Sequence, residues 1–494
     1  MTTRAAREYY AHAPVRRRIA EYCGGVPEDP GSFSCVYLVG YGAAMGRRPS
    51  AEPHASVEKR NFPDLLEAGV DILRSVWDRN ALLGILDIEY VNWDYPAEVF
   101  FRPPEVFSRV EPLYRVIRRS FGAYGIEPLT ILTGQGYHFV LRIPKDSKAF
   151  PLLAARGSAS PRLLEWGDRF AARFGRSLPS PEAAAYETLG RLLEHLVHRI
   201  LREYESLPPA GSEPLPAVPT DAAVGRIGSR GCREAVSLDL SLFGDPLPRR
   251  ATRCPFSAYQ KHRVLREKYG ERAGRQLPVP LLLPRFPGSR LEDLLEARTD
   301  GERAARLAED CSVAIPDAAP SIPAWLADYE GSALAEVHRE IREIRRDRTA
   351  PPPGLPPCVV HCLRDPNPHL LKPTNLQALT RVLLALGWEP AQIAGLVCAL
   401  RGGARMGRSL GQVRGGDPRP ERRHRPRNPP AAPFYRRSGS PARAGRAFPQ
   451  GGGGDLLRHG ALLLVALPAA RTGLRASRRP GDRPPCQRQP RGDR

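Results

Sequence analysis

Three segments of this chain place polar groups on what read as strand faces, and their types suit a metal-bound phosphate. Leu86-Asp87-Ile88-Glu89-Tyr90 alternates apolar and acidic residues. Side chains at i and i+2 share one strand face, so Asp87 and Glu89 point together while Leu86, Ile88 and Tyr90 face a core. Neighbouring carboxylates repel unless a cation sits between them, and Mg²⁺ or Mn²⁺ suits oxygen ligands. In Thr133-Gly134-Gln135-Gly136-Tyr137-His138-Phe139-Val140 the two glycines let the backbone approach a ligand closely. His138 then opens a strand whose other face, Tyr137, Phe139 and Leu141, is apolar. Val236-Ser237-Leu238-Asp239-Leu240-Ser241-Leu242 alternates strictly, with Asp239 on the polar face, and Arg253-Cys254-Pro255-Phe256-Ser257 and Lys261-His262 follow. A third carboxylate with Arg, Lys and Ser nearby suits a metal-bound triphosphate. Taken singly, each segment has a plain reading: a chance acidic pair on an exposed edge, a histidine capping a turn, an ordinary half-buried strand.

The elements that must position these residues follow from periodicity. Arg7–Tyr22 and Phe62–Asn80 read as helices, Leu82–Val91 as a strand and Val106–Tyr124 as a helix. Leu129–Leu132 and Tyr137–Ile143 read as strands joined by the turn Thr133–Gly136. This mixture predicts an α/β (α+β) layer with a mixed sheet. Residues 151–232 interrupt it with a helix over about Pro181–Glu205 and a Pro/Gly-rich loop, taken as a helical insertion. The sheet is expected to resume with Ala235–Phe243 and to close near Gly270, giving a core over 1–275. A partly helical connector is expected over 276–355, its clearest helix running from Ser332, an N-cap, to Arg346. A small helical module follows over 356–400 and a tail over 401–494.

The order and spacing of the motifs resemble the archaeo-eukaryotic primase superfamily, most closely the catalytic small subunit of DNA primase and its primase-polymerase relatives. The motifs are DxE, then G-Y-H on a strand, then an apolar-flanked Asp followed by R-x-P-F-S and a Lys. Glu8-Tyr9-Tyr10 also looks like the start of small-subunit primases. The resemblance covers about residues 10–270. It implies a primase-type catalytic core in which Asp87, Glu89 and Asp239 bind two Mg²⁺ or Mn²⁺ ions. His138, Arg253 and Lys261 would hold the incoming nucleotide, with Ser257 as a hydrogen-bonding support. Single-stranded DNA as template, NTPs or dNTPs as substrates, and a helicase or second primase subunit as partner are implied with it. Gln135 stands where the family often carries a basic residue. The family's zinc knuckle has no clear counterpart, since Cys23, Cys35 and His54 lack a fourth neighbour at usual spacing. A gap-filling repair polymerase of the end-joining type and a non-catalytic nucleic-acid-binding protein on the same fold are the alternative readings.

Composition qualifies the obvious argument from charge. The chain of 494 residues carries a net charge of +21, but 401–494 hold 22 Arg, no Lys and five acids, a balance of +17. That leaves 52 basic and 48 acidic residues, or +4, for 1–400, so basicity alone does not mark the body as a nucleic-acid binder. Arg, Gly and Pro make 51 of the tail's 94 residues. Such a composition predicts a disordered segment, read either as an RNA-binding arm or as the product of a frame slip near residue 400. The module at 356–399 resembles the helical C-terminal part of primase large subunits. Cys311, Cys358, Cys362 and Cys398 do not match the spacing of its iron–sulfur cluster, so the thiols are expected to be buried without one. The longest apolar run, Ala461–Leu467, is far below the ~20 residues that span a bilayer. The N-terminus has no apolar stretch like that of a signal peptide. With nine scattered cysteines and no CxxC pair, the expectation is a cytoplasmic protein with reduced thiols.

Overall fold

The longest strand forms where apolar and polar residues alternate most regularly. Ala81–Asn92 is β4, and along its second half Ile88, Tyr90 and Asn92 are buried while Asp87, Glu89 and Val91 are half-buried. In this computed structural model the described residues are 3–42, 54–158, 171–207, 215–219, 230–240 and 247–344, with single residues between these spans and within 379–396. The chain divides into two units, Met1–Glu336 and Val337–Arg494. Apart from the end of one helix, all that follows concerns the first. Cys358, Cys362, Cys398, Ser241, nearly all of the 356–400 module and the whole Arg-rich tail lie outside the described residues.

The described residues form two sheets. In chain order the strands are β1 (Leu38–Tyr41), β2 (His54–Val57), β3 (Asp71–Ser75), β4, β5 (Leu129–Leu132), β6 (Gly136–Pro144), β7 (Ala217–Val218), β8 (Glu234–Asp239), β9 (Ala251–Arg253) and β10 (Leu283–Arg285). The large sheet has the order β10-β5-β6-β4-β8-β7, and the small one β2-β1-β3-β9. Among the described residues β7–β8 is the one parallel pair, so the large sheet is mixed. The expected hairpin β5–β6 is present.

The helices α1 (Thr3–Tyr10), α2 (Ala13–Tyr22), α3 (Phe62–Ala68), α4 (Glu98–Phe101), α5 (Pro103–Gly122), α6 (Ala149–Arg156) and α7 (Ser180–Glu205) precede further helices after residue 260. One face of the large sheet is covered by α5 and α7. Phe107, Tyr114 and Phe121 of α5 meet the rings of Tyr137 and Phe139 on β6. On α7, Leu189, Leu192, Leu193 and Leu196 are fully buried. This helix is a layer of the core, and its separation from the sheet exists in sequence order alone. Among the described residues no helix is long and apolar enough to cross a membrane.

The structure corrects several expectations. The helix expected over Arg7–Tyr22 is two helices, because Pro14 lacks an N–H and stands in the first turn of the second. The helix expected over Phe62–Asn80 ends at Ala68, where Gly69 takes a left-handed φ of 63°, and β3 follows at once. The third acidic strand begins one residue early, at Glu234, and its last paired residue is Asp239. The large sheet does not close near Gly270, since β10 at 283–285 pairs with β5. The helix after Ser332 runs over Ala333–Ile344, and Ser332 Oγ accepts from Ala335 N at 3.3 Å, as an N-cap does.

Candidate active site

Register on the large sheet decides which of the sequence motifs meet. Asp87 on β4 stands directly opposite His138 on β6 and directly opposite Asp239 on β8. Glu89, two residues on, stands opposite Ser237. Directly paired residues share a face, so Asp87, Glu89, His138 and Asp239 occupy the face that α5 and α7 leave uncovered. The three acidic and histidine motifs therefore converge through strand pairing, as neighbours on one surface.

β9 brings the fourth motif. Thr252 Oγ1 lies 3.4 Å from His138 Nδ1, and His138 Nε2 lies 3.4 Å from Asp87 Oδ1. The imidazole thus spans the gap between the two sheets. Lys261 Nζ donates to both oxygens of Glu89, at 2.9 and 3.1 Å. Burial opposes the ammonium charge of Lys261, but Glu89, Tyr259 and Tyr269 more than offset it and hold its pKa well above the usual lysine range. For Asp87, burial favours the neutral acid, while His138, Lys261 and Arg253 together pull its pKa below the ordinary carboxylate value.

Arg253 is held from three sides. Its guanidinium lies 4.6 Å from the ring centre of Tyr259 and 5.1 Å from that of Tyr41, and its Nε is 3.4 Å from Asp71 Oδ2. Asp71 is fully buried and accepts from Gln260 N at 3.0 Å on each oxygen. Burial raises its pKa to about 7 despite the opposing pull of Arg253 and those hydrogen bonds.

Ser257 is placed differently. Its hydroxyl is fully buried, accepts from Ile72 N at 2.6 Å and lies 3.4 Å from Tyr10 Oη. Tyr10 in turn donates to Val70 O and accepts from Ala258 N. These bonds pin the loop after Arg253 to β3 and commit the hydroxyl to backbone and Tyr10. Between them Phe256, also buried, holds a φ of +62°, a conformation that costs a bulky residue strain and persists only where the surroundings impose it.

The glycines serve packing. A Cβ on Gly134 would stand 2.2 Å from the Tyr259 ring, and one on Gly136 would stand 1.8 Å from Ile88 O. What the backbone approaches closely here is β4 and Tyr259. Gln135 is buried and accepts from Tyr259 Oη and Tyr269 Oη at 2.9 and 2.8 Å. It braces the residues around Lys261. Sequence reasoning missed Asp71, Thr252 and Tyr259. The signal for Asp71 was present, a carboxylate inside the apolar run Val70–Leu73, but it fell within a segment assigned to helix.

Whether these residues suit a divalent cation can be tested on the donor set. Asp87 Oδ1 is buried and has no hydrogen-bond partner, its 3.4 Å contact with His138 lacking hydrogen-bond geometry. An orphaned carboxylate oxygen facing a second carboxylate across the ladder is a hard-oxygen donor pair of the kind Mg²⁺ and Mn²⁺ take. Glu89 is committed to Lys261, and among the described residues no three His, Cys, Asp or Glu side chains are gathered tightly enough to enclose an ion. Asp87 and Asp239 thus fit a cation by donor type and shared face, and Glu89 would join them where a cation displaces the Lys261 ammonium. The cysteines do not form a comparable set with His54. Cys23 Sγ packs 3.8 Å from Cys254 Sγ, and burial pushes the Cys23 and Cys35 thiols well above their usual pKa. His54 is exposed at the start of β2.

No family model matches the sequence, and no curated protein matches it. Among solved structures, the polymerase domain of Mycobacterium tuberculosis ligase D in complex with DNA is similar over 63% of this chain and 93% of that domain, with 12% identity and a TM-score of 0.29. A likeness this slight says nothing of what this chain does.

Proposed function

We propose that this chain is a template-directed nucleotidyltransferase of DNA primase type, making or extending short primers on single-stranded DNA from NTPs or dNTPs. The observation that carries the reading is the cross-strand placement of Asp87 between Asp239 and His138, with one Asp87 oxygen unpartnered. Carboxylates are rarely left under-satisfied in a half-buried row unless the row has a use.

Asp87, Glu89 and Asp239 would hold two Mg²⁺ or Mn²⁺ ions. When bound, such ions make a 3′-hydroxyl more acidic and neutralise charge on a leaving pyrophosphate. The chain's own groups do the positioning. His138, 3.4 Å from both Asp87 Oδ1 and Thr252 Oγ1, presents an imidazole edge beside the row. Lys261 and Arg253 supply positive charge for a triphosphate, and both are held rigidly enough to cost little reorganisation on binding. Arg253 is held by Asp71 and two rings, Lys261 by Glu89. Ser257 and Tyr10 keep the loop after Arg253 against β3.

The test is incorporation of labelled NTPs and dNTPs by the full chain on single-stranded DNA with Mn²⁺, beside an Asp87→Ala/Glu89→Ala control. Product that the control lacks is the expected result. Extension of an annealed primer without de novo synthesis would move the chain to gap filling. A folded protein that binds DNA but incorporates nothing would make it a non-catalytic nucleic-acid binder and end the reading.

A further inference from the structure

Arg253 and Lys261 stand at the two ends of one segment that runs along the start of β3. Arg253 pairs with Leu73, and Cys254 N donates to Ile72 O at 3.0 Å. Ser257 Oγ accepts from Ile72 N, and Gln260 Nε2 donates to Gly69 O at 3.0 Å. The segment thus descends β3 from Leu73 to Gly69, and Lys261 opens the short helix Lys261–Val264 immediately after it. Asp71 meets both ends. Its Oδ2 accepts from Arg253 Nε at 3.4 Å and from Gln260 N at 3.0 Å, and its Oδ1 accepts from Gln260 N at 3.0 Å as well. Register sets Asp71 opposite Tyr41 and Arg253 opposite Leu73, so Asp71, Tyr41 and Arg253 share one face of the small sheet.

Packing does not explain a charge at Asp71. Any acceptor would satisfy Gln260 N, and burial pushes the carboxyl up to about 7, a cost to the fold. The group that needs the charge is Arg253. A guanidinium grips phosphate through a planar fork, so its orientation decides the bond. Asp71 engages Nε, the inner nitrogen, so that the terminal pair can face a phosphate. We infer that Asp71 is a positioning residue for the nucleotide triphosphate, one carboxylate clasping both ends of the 253–260 segment and so fixing the spacing between Arg253 and Lys261. The inference rests on the polymerase reading for its ligand. The carboxylate also cancels part of the Arg253 charge, so its removal frees attraction while losing orientation. Orientation dominates, because the Lys261 ammonium already supplies attraction as a point charge, whereas the fork of Arg253 works in one direction.

The experiment measures affinity of the full chain for a labelled nucleoside triphosphate and, separately, for a labelled single-stranded oligonucleotide, at pH 8. Asp71→Asn keeps an acceptor for Gln260 N but sets an amide donor against Arg253 Nε. It should lower triphosphate affinity about tenfold, the weight of one hydrogen bond to a charged group, with oligonucleotide affinity unchanged and a urea midpoint no lower than wild type. In an Arg253→Ala background the same substitution should change triphosphate affinity by less than about twofold, because the two residues act as one unit. Asp71→Ala releases Gln260 as well and should cost more than Asp71→Asn. Triphosphate affinity that is unchanged or tighter in Asp71→Asn would overturn the inference, as would an equal loss with Arg253 absent or a loss in Asp71→Ala no greater than in Asp71→Asn. A fall in both affinities together with the urea midpoint would mark a structural role alone and overturn it too. A non-additive pair in a protein that incorporates no nucleotide would leave the clasp standing and remove the polymerase reading. Incorporation by the wild type with unaltered triphosphate affinity in Asp71→Asn would do the opposite.

Discussion

Asp78 and Asp87 flank the first half of β4, and each lies close to a basic side chain. Asp78 is almost fully buried and satisfied on every side. It pairs with Arg74, accepts from Ser34 Oγ, and takes the backbone N–H groups of Asn80 and Ala81 at 2.8 and 3.0 Å. Burial opposes its charge, but Arg74 and these donors hold its pKa below the ordinary value. Arg74 is equally enclosed, donating also to Tyr22 O and Ser75 O. Asp87 is more exposed yet less satisfied, with one oxygen unpartnered and a second acid across the ladder. A carboxylate whose bonds are all made within the fold stabilises structure. One that is left short is a place where stability has been given up for something else.

Substitution should separate the two cleanly. Asp78→Ala strands the buried Arg74 guanidinium and should destabilise the fold by about 3–5 kcal/mol, read as a lower urea midpoint. Asp87→Ala or Asp239→Ala should leave that midpoint within ~1 kcal/mol of wild type, since a repulsive pair is relieved as contacts are lost. Nucleotide incorporation should nonetheless fall on the order of a thousandfold, the loss of about 4 kcal/mol at the transition state. Equal destabilisation at both sites would erase the distinction. Retained turnover in either site variant would remove that residue from the metal-binding set.

Asp71 stands between these extremes, fully buried yet facing Arg253. Its folded pKa of about 7 lies above the ordinary 3.8. Between those values the folded state binds more protons than the unfolded one, so this carboxylate lowers stability progressively as pH rises from about 4 to about 7. A shift of this size corresponds to roughly 4 kcal/mol. Asp71→Asn should flatten that part of the profile, with the largest gain over wild type at pH 8 and almost none at pH 4. Urea midpoints at the two pH values decide it, and parallel profiles for the two proteins would sink the assignment.

How much of this was readable in advance depended on distance along the chain. The β4, β5 and β6 strands show their period locally, so Asp87, Glu89 and His138 could be placed on strand faces from sequence. Their meeting with Asp239 could be suspected, because β8 alternates as strictly. β3 could not be recovered. It is short, follows a helix directly, and is held by pairing with β1 and β9, the latter far away in sequence. With β3 hidden, Asp71 was hidden too. The same cause concealed β10 and the role of Thr252. Ser257 was legible as a residue of interest, but its direction was not, because the positive φ at Phe256 turns the chain in a way no periodicity records. The glycines of the β5–β6 turn announce close approach in the sequence, and the tertiary fold sets Tyr259 and β4 against them.

The smallest effect tests the bridge between the sheets. Thr252 meets His138 through one contact of 3.4 Å, long for a hydrogen bond. Thr252→Val preserves shape and removes the hydroxyl, and the loss of stability should stay below about 1 kcal/mol. If the contact matters only for packing, incorporation should follow stability and remain near wild type. If it orients the imidazole against Asp87, incorporation should fall a few-fold at unchanged midpoint, and Thr252→Ser, which restores the hydroxyl without the methyl, should recover it. Recovery by serine but not by valine is the result expected of a positioning residue. The opposite order, with valine active and serine impaired, would show that β9 serves the site through its methyl group and that His138 takes its orientation from Asp87 alone.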